Sequence, residues 1–269
     1  MEMKGSYELK RATTKAEFAD IMDVIWAANY TPYDPVINLF FPIHGFSPFA
    51  RQTAISESIT RFWTEHEASP SSNWYYVVDA ASGKAVGCAQ WHVHLKNPFP
   101  NGVPVLKAPW WPADSEGRHF CERILNQVYK PRASWMTRPH LALSWMAVHP
   151  DHRRRGIGSL LMKAGEVEAD ALGVESWIEA SAMGKPLYEK FGFRPLFRLC
   201  YDMEKEGKSD EWRKLEHEMT PPPFWAMWRP KQGRWQEGVG EDGGAMRGVK
   251  MPWELGRDDG VTERNGDVV

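Results

Sequence analysis

The sequence predicts an α/β domain in which strands alternate with helices. Residues 141–148 (LALSWMAV) form an apolar run of strand length. Residues 159–172 carry apolar side chains at helical spacing. Residues 74–79 and 85–95 have the composition of two further strands, and the five residues between them contain glycine, as in a longer hairpin. Strands and amphipathic helices in alternation are typical of a sheet covered by helices.

A strand and two helices are predicted ahead of this hairpin. Residues 7–12 favour a strand, and Thr13 or Thr14 can cap the following helix, with Glu17 placed for a capping box. Residues 51–67 predict the second helix. The apolar side chains that give the two helices a buried face are Phe18, Ile21, Met22, Ile25, Trp26, Ile55, Ile59, Phe62 and Trp63.

The second hairpin strand has one polar face. Gln90, His92 and His94 alternate along it with Trp91 and Val93, so the two sets point to opposite sides of the sheet. We favour a solvated or internally satisfied polar face. The alternative is that the two histidines line a substrate cleft.

Residues 97–139 predict an insertion that covers one end of the sheet. They begin with prolines and contain the stretch PWWPADSEG. A helix is expected to start near Asp114 or Ser115, because apolar residues recur at helical spacing after it. Insertions on a rigid scaffold usually decide which substrate is accepted.

The chain after residue 172 is predicted to continue as strand, short helix and strand. The strand covers 174–182, the helix 184–191, and 193–203 forms a last strand or hairpin. We therefore assign residues 1–204 to one domain.

The composition changes beyond this domain. Ten of the 22 glycines lie after residue 204, among many charged residues, yet tryptophans are frequent there. Disordered segments are usually poor in aromatic residues. Residues 205–269 are therefore expected to form an irregular extension that tryptophans pin against the main body. The alternative is a free tail, above all after Glu254.

The loop before the 159–172 helix carries the clearest functional signal. Its sequence over residues 153–159 is RRRGIGS. A helix N-terminus offers unpaired N–H groups and about half a positive charge. Glycines let a ligand approach the backbone, and arginines add forked donors. These features predict a pyrophosphate site. The alternative is a glycine turn with solvated arginines.

Two common phosphate-binding motifs do not fit this loop. A dinucleotide fingerprint requires a third glycine, and Leu161 occupies that position. A nucleoside triphosphate loop requires a lysine directly before Ser159, where Gly158 stands.

The spacing Arg153-x-x-Gly156-x-Gly158 resembles the signature loop of the GCN5-related N-acetyltransferase (GNAT) superfamily, whose members bind acetyl-coenzyme A. Residues 147–150 also resemble that family's strand ending, and residues 175–193 resemble its next strand and helix. The resemblance implies a GNAT-like acyl-CoA N-acyltransferase fold, an α/β fold with a mixed, twisted sheet flanked by helices. Its central strands should splay apart to admit the cofactor.

The resemblance also implies roles for individual residues. Backbone groups of 146–148 pair with the pantetheine arm as if it were another strand, and N–H groups of 154–159 hold the pyrophosphate. Ser181 touches the pantetheine arm, and Tyr188 is the catalytic residue that protonates the leaving thiolate. The implied cofactor-binding set is Met146, Ala147, Val148, Arg153, Arg154, Arg155, Gly156, Ile157, Gly158, Ser159, Ser181 and Tyr188.

Transfer to an amine also requires an uncharged nucleophile. An amine like that of lysine, with a pKa of about 10.4, is mostly protonated at neutral pH, and its deprotonation at pH 7 costs roughly 4–5 kcal/mol. A general base or a chain of water molecules can help. The sequence does not choose among the candidate bases, which are His92, His94, His140, His149 and Glu179.

We therefore expect an acetyl-CoA-dependent N-acetyltransferase whose acceptor is a primary amine. A small-molecule amine is favoured, because the sequence has no acidic run that could bind a basic protein tail. The alternatives are a protein lysine or N-terminal acetyltransferase, and a coenzyme A-binding module without catalysis.

Bulk properties narrow the class of protein. The chain has 269 residues and a net charge of −2. This overall charge does not favour binding to nucleic acid or to an anionic membrane. Cys88, Cys121 and Cys200 are scattered without metal-ligand spacing, so no metal is expected. No apolar run approaches the ~20 residues that span a bilayer, and no secretory signal is recognised. A soluble cytoplasmic protein is expected, and a homo-oligomer is compatible with these properties.

Overall fold

The computed structural model describes residues 6–235. Within that range seven strands form one sheet: β1 Tyr7–Arg11, β2 Ser72–Asp79, β3 Lys84–His94, β4 His140–Val148, β5 Glu175–Ala180, β6 Arg194–Leu199 and β7 Phe224–Arg229. The strand order is β1-β2-β3-β4-β5-β7-β6. β4 and β5 are parallel and the other neighbours antiparallel, so the predicted mixed sheet is confirmed.

The same residues form seven α-helices: α1 Lys15–Tyr30, α2 Ile37–Phe40, α3 Ala50–Ala68, α4 Glu116–Trp135, α5 Ile157–Leu172, α6 Lys185–Glu189 and α7 Asp210–Met219. The predicted capping box opens α1, since Glu17 N–H donates to Thr14 Oγ1 and the Glu17 carboxylate accepts from Thr14 N–H. Ser115 caps α4 by accepting from Arg118 N–H, which confirms the predicted start of that helix.

Helices cover both faces of the sheet. α1 and α3 bury Phe18, Ile25 and Phe62 against one face. α5 covers the other face at close range, because Gly165 leaves no side chain between the helix and Trp91; a Cβ there would lie 2.2 Å from the indole ring. This packing fixes the start of α5 relative to β3 and β4.

A further layer joins the predicted insertion to the chain after β6. α4 packs against α2 and α7 around Leu39, Phe120 and Trp212, all of which are buried. Arg123 fastens the end of this layer by donating to Asp202 O at 2.7 Å. The segment after the domain boundary predicted at residue 204 therefore contributes to the same packed body.

The prediction of an irregular extension from residue 205 is wrong for residues 210–219, which form α7, and for residues 224–229, which form β7. β7 lies between β5 and β6 inside the sheet. Trp225 and Trp228 belong to this strand, so these tryptophans are docked as expected. The glycine-rich composition misled the prediction because eight of the ten glycines after residue 204 lie beyond residue 235. Residues 236–269 lie outside the described range.

Across residues 6–235, no helix has both the length and the apolar character that crossing a bilayer requires.

Candidate active site

A gap opens between the two central strands. The parallel pairing of β4 with β5 runs from His140–Glu175 to Leu143–Ile178 and stops there. β4 continues to Val148 while remaining paired with β3 on its other side. Within residues 6–235, one edge of β4 beyond Leu143 is therefore not paired with another strand, as the expected splaying of the strands requires.

A β-bulge lies at the start of this gap. Gln90 of β3 faces Trp145 of β4 and Trp91 faces Leu143, so Ser144 is the extra residue of the bulge. A bulge redirects the side chains that follow it. Trp145 and Ala147 accordingly pack in the α1–α3 cluster, although Leu143 packs on the α5 side.

The backbone of β4 directs N–H and C=O groups into the gap at alternate residues. His149 N–H donates to Val86 O on β3 at 2.9 Å. Because backbone groups alternate between the two edges of a strand, those of Ala147 also face β3, and those of Met146 and Val148 face the gap. Val148 O accepts from Arg153 Nε at 3.4 Å. Of the three predicted β4 contacts, Met146 and Val148 thus have the suitable direction.

The predicted pyrophosphate loop lies at the N-terminus of α5. Gly156 precedes the helix with a φ of 86°, a left-handed conformation that favours glycine. Leu160 N–H is the first to bond within the helix, donating to Gly156 O at 3.1 Å. The N–H groups of Ile157, Gly158 and Ser159 come before that bond and are available to an anion.

The three arginines of the loop differ in their contacts. Arg153 donates from Nη1 to Thr31 O and from Nη2 to Ala28 O, each at 2.7 Å, and so binds the C-terminal end of α1. Arg154 and Arg155 are exposed. Arg153 is thus held against α1, whereas Arg154 and Arg155 are exposed positive charges near the helix N-terminus. Arg155 Nη1 donates to Tyr7 Oη at 3.5 Å.

Ser181 and Tyr188 belong to the turn and short helix that follow β5. Ser181 Oγ accepts from Gly184 N–H at 3.2 Å and so stabilises the turn into α6. Tyr188 is 8% exposed, and burial raises the pKa of its hydroxyl to about 12. A Cβ at Gly184 would lie 2.9 Å from Tyr188 Oη, so the glycine leaves room for the hydroxyl. This phenol stays protonated throughout the neutral range.

A cavity of about 460 Å³ lies on the polar face of β3. Residues 98–104 of the predicted insertion form one wall through three prolines and Phe99. His92 and His94 line the cavity, as the substrate-cleft alternative requires, and that alternative stays a prediction. The polar side chains of the lining are Ser69, Ser71, His92, His94, Asn101, Tyr129, Arg132 and Ser144.

Residues 116–195 match the family model described as the acetyltransferase (GNAT) domain. The chain contains a GNAT acetyltransferase domain. The matched segment extends from the first residue of α4 to β6 and so includes the loop, the gap and Tyr188. A search of curated protein sequences finds no match to the chain.

Solved structures of acetyltransferases share this GNAT fold. One is described as histone acetyltransferase HPA2 and related acetyltransferase from Corynebacterium glutamicum ATCC 13032; it has 21% identity and a TM-score of 0.51, covering 84% of this chain and 97% of its own. Another is the mosquito arylalkylamine N-acetyltransferase like 5b, with 14% identity and a TM-score of 0.54, covering 83% and 99%. At these identities the similarity concerns the fold.

A buried ion pair crosses the end of the gap in this GNAT domain. Arg132 of α4 is 6% exposed and donates from Nε to Glu179 Oε1 of β5 at 3.0 Å and from Nη2 to Oε2. Arg132 also donates from Nη1 to Ser144 Oγ at 3.3 Å and from Nη2 to Leu143 O at 3.4 Å, both on β4. The guanidinium therefore bridges the two strands at the point where they separate.

Three histidine rings lie in a row beside Arg132. The ring centroids of His92 and His94 are 5.8 Å apart, and those of His94 and His140 are 4.9 Å apart. Burial, followed by the positive charge of Arg132, lowers the pKa of His92 to about 3 and that of His94 to about 4. Burial also lowers the pKa of His140 to about 3. All three imidazoles are neutral at pH 7.

The geometry separates the candidate bases of the GNAT domain. His92 and His94 line the cavity, and His140 lies behind His94. Glu179 is held by Arg132 and by Trp177 Nε1, which donates to it at 2.6 Å, so its carboxylate is already occupied. His149 accepts from Asp151 N–H at the opposite end of β4 and does not line the cavity.

The sequence did not identify Arg132, Ser71 or Tyr129 as site residues. Ser71 Oγ lies 3.1 Å from His92 Nδ1, and the Arg132 guanidinium lies 5.3 Å from the centroid of the Tyr129 ring. One signal for Arg132 was present in the sequence. Arg132 comes four residues after Val128 on the apolar stripe of α4, where a charged side chain is unusual.

Stability is expected to fall as the pH drops from about 6.5 towards 3. In that window the unfolded chain protonates His140 and the folded protein does not, so the unfolded state binds more protons. The variant His140→Asn keeps a donor for Arg138 O and cannot titrate. Its unfolding free energy should depend less on pH, by up to about 1.4 kcal/mol per unit. Urea unfolding at several pH values measures this slope.

The control for this experiment is His217→Asn, because His217 is exposed on α7. That variant is expected to keep the wild-type dependence of stability on pH. Equal slopes for His140→Asn and the wild type would contradict the prediction.

Proposed function

We propose that the protein transfers the acetyl group of acetyl-coenzyme A to a primary amine of a small molecule. The observation that carries the proposal is the position of Ser144. It lies at the bulge where the β4–β5 gap begins, and it also lines the cavity. The space suited to the cofactor and the space suited to the acceptor therefore meet at one residue.

The residues along the gap fit the parts of coenzyme A. The free N–H groups of 157–159, with Arg154 and Arg155 beside them, suit a pyrophosphate. The backbone groups of Met146 and Val148 suit an extended pantetheine arm, because that arm carries amides that can pair with a strand edge. The contacts of Arg153 with α1 remove it from the proposed binding set.

The reaction has a simple balance. The amine nitrogen forms a bond to the acetyl carbon, the bond from carbon to sulfur breaks, and nitrogen loses one proton while the thiolate gains one. His92 and His94 are neutral and can accept a hydrogen bond from the amine, and the proton that nitrogen loses passes to solvent water. Tyr188, protonated at neutral pH, supplies the proton for sulfur.

The cavity favours a small acceptor over a protein tail. Its volume of about 460 Å³ lies in the range of small-molecule sites, and residues 98–104 wall one side. A lysine tail requires an open groove that leads to the thioester.

The test is the release of free coenzyme A thiol from acetyl-coenzyme A in the presence of a panel of small primary amines, with a basic peptide as a separate arm. Mass spectrometry identifies the acetylated product. Acetylated small amines are expected. Acetylation of the peptide alone would favour a protein acetyltransferase, and tight coenzyme A binding without any thiol release would favour a binding module.

Gly158→Asp is expected to weaken coenzyme A binding about 10- to 100-fold more than Gly158→Asn. The two side chains have the same shape, and either brings a Cβ to 2.9 Å from Leu187 Cδ2, so the packing change is shared. Only aspartate adds a negative charge at the helix N-terminus. Like charges about 4 Å apart repel by about 1–4 kcal/mol over the range of effective dielectric constants near a protein surface.

Calorimetric titration with coenzyme A measures both affinities, and circular dichroism checks that both variants fold. Equal affinities for the aspartate and asparagine variants would show that the loop holds no anionic group.

A further inference from the structure

The described wall of the cavity has no carboxylate that could pair with a charged amine. Among the residues that line it within the described part of the chain, Arg132 is the one ionised side chain, and no aspartate or glutamate is present. The Arg132 partner, Glu179, lies outside the lining and has its oxygens occupied. An alkylammonium ion in this cavity would lose its water without gaining a carboxylate, which is unfavourable.

The two lining histidines show how this space treats a positive charge. Burial and the charge of Arg132 hold the pKa of both imidazoles well below the ordinary value, so both rings are neutral at pH 7. The same two effects lower the pKa of any amine that enters the cavity, and so favour its uncharged form. The charged or titratable groups that face the histidines from the neighbouring elements are His66, Tyr129, Arg132 and His140, with Glu179 behind Arg132.

The remaining wall suits a flat apolar body. Phe99 and Tyr129 meet edge to face with ring centroids 5.8 Å apart, and Pro98, Pro100 and Pro104 extend this surface. Aromatic rings favour such edge and face contacts. The neutral nitrogens of His92 and His94 can accept hydrogen bonds from an N–H group.

From this arrangement we infer that the cavity takes an amine that is uncharged at neutral pH and carried on an aromatic ring, which is an arylamine. The inference rests on the proposed transfer to a small amine and names its substrate class. The nitrogen of such an amine is already uncharged at neutral pH, so no proton has to be removed before it attacks the thioester. Nitrogen loses its proton only as the new bond forms, and the histidines need only accept a hydrogen bond from it.

Two isomers with the same atoms test this inference. 4-Methylaniline is neutral at pH 7, whereas benzylamine is a cation of equal size. Each is titrated by calorimetry into the protein loaded with coenzyme A, in two buffers that differ in heat of ionisation. We expect 4-methylaniline to bind at least tenfold more tightly at pH 7 and without proton exchange. Benzylamine should release about one proton on binding and gain about tenfold in affinity for each unit of rising pH below its own pKa.

Any of three results overturns the inference. Benzylamine could bind at pH 7 as tightly as its isomer, it could bind without releasing a proton, or neither isomer could bind. Failure of the proposed function gives a different result, which is binding of 4-methylaniline as expected without thiol release from acetyl-coenzyme A.

The variant Asn101→Asp places a carboxylate in the lining without changing the shape of the side chain. It should raise the affinity of benzylamine relative to 4-methylaniline by about threefold or more, because the ammonium ion gains a partner at the cavity wall. An unchanged ratio of the two affinities in this folded variant would contradict the inference.

Discussion

Replacement of Tyr188 with phenylalanine is expected to lower kcat by about 10²–10⁴-fold, the range typical of a lost general acid. The hydroxyl is suited to this role because burial raises its pKa to about 12, and it makes no hydrogen bond to another residue in the range 6–235. The ring packs edge to face on Phe193 with centroids 6.5 Å apart, and phenylalanine keeps this contact. The affinity for coenzyme A should therefore change little.

The measurement pairs single-turnover kinetics with calorimetry, so that chemistry and binding are separated. Tyr33→Phe is the control, because Tyr33 is 54% exposed and its hydroxyl contacts Asn38 rather than the gap. If Tyr188→Phe keeps the wild-type chemical rate, the proton comes from water or another group. Loss of coenzyme A affinity at unchanged turnover would make the hydroxyl a binding contact.

The central strand, loop and helix could be predicted because local signals define them. Pro150 lies two residues after the end of β4, and Gly173 ends α5 in the left-handed conformation with a φ of 63°. Gly156 and Gly158 define the loop. Each of these signals acts within a few residues, so one sequence is enough to recognise it.

The roles that depend on distant contacts could not be predicted. Arg153 looked equivalent to its two neighbours, yet its partners Ala28 and Thr31 are more than 120 residues away in the chain. The polar face of β3 became a cavity wall because residues 98–104 fold over it. A pattern of alternation defines a face of a strand, and it does not reveal what covers that face.

The seventh strand was missed for a related reason. The apolar run of β7 is buried on both faces, so it lacks the alternation that marks a half-buried strand. Its position between β5 and β6 requires pairing with residues about 30 and 50 positions earlier, such as Arg198 and Ile178.

The ion pair at the end of the gap gives the largest expected change in stability. Arg132→Met should lower the unfolding free energy by about 3–5 kcal/mol, because it leaves the Glu179 carboxylate buried without its cation. Trp177 Nε1 would remain as a donor to that carboxylate, which is too little to replace a guanidinium. Urea unfolding at neutral pH measures the change.

Arg213→Met is the matched control, since Arg213 pairs with Asp210 at 2.7 Å on the surface, where both side chains are largely exposed. A surface pair of this kind contributes about 0–1 kcal/mol. The double variant Arg132→Met with Glu179→Gln removes the stranded charge, keeps an acceptor for Trp177, and is expected to be more stable than Arg132→Met alone.

The same substitution separates a structural role of Arg132 from a role in the site. Arg132 connects Ser144 and Leu143 of β4 to Glu179 of β5 where the strands part, so its loss should let the cavity end of the gap relax. The folded double variant should then bind coenzyme A normally through the distant α5 loop, while its kcat/KM for the amine falls. A loss of less than 1 kcal/mol in Arg132→Met, with wild-type kcat/KM in the double variant, would show that neither the fold nor the site depends on this bridge.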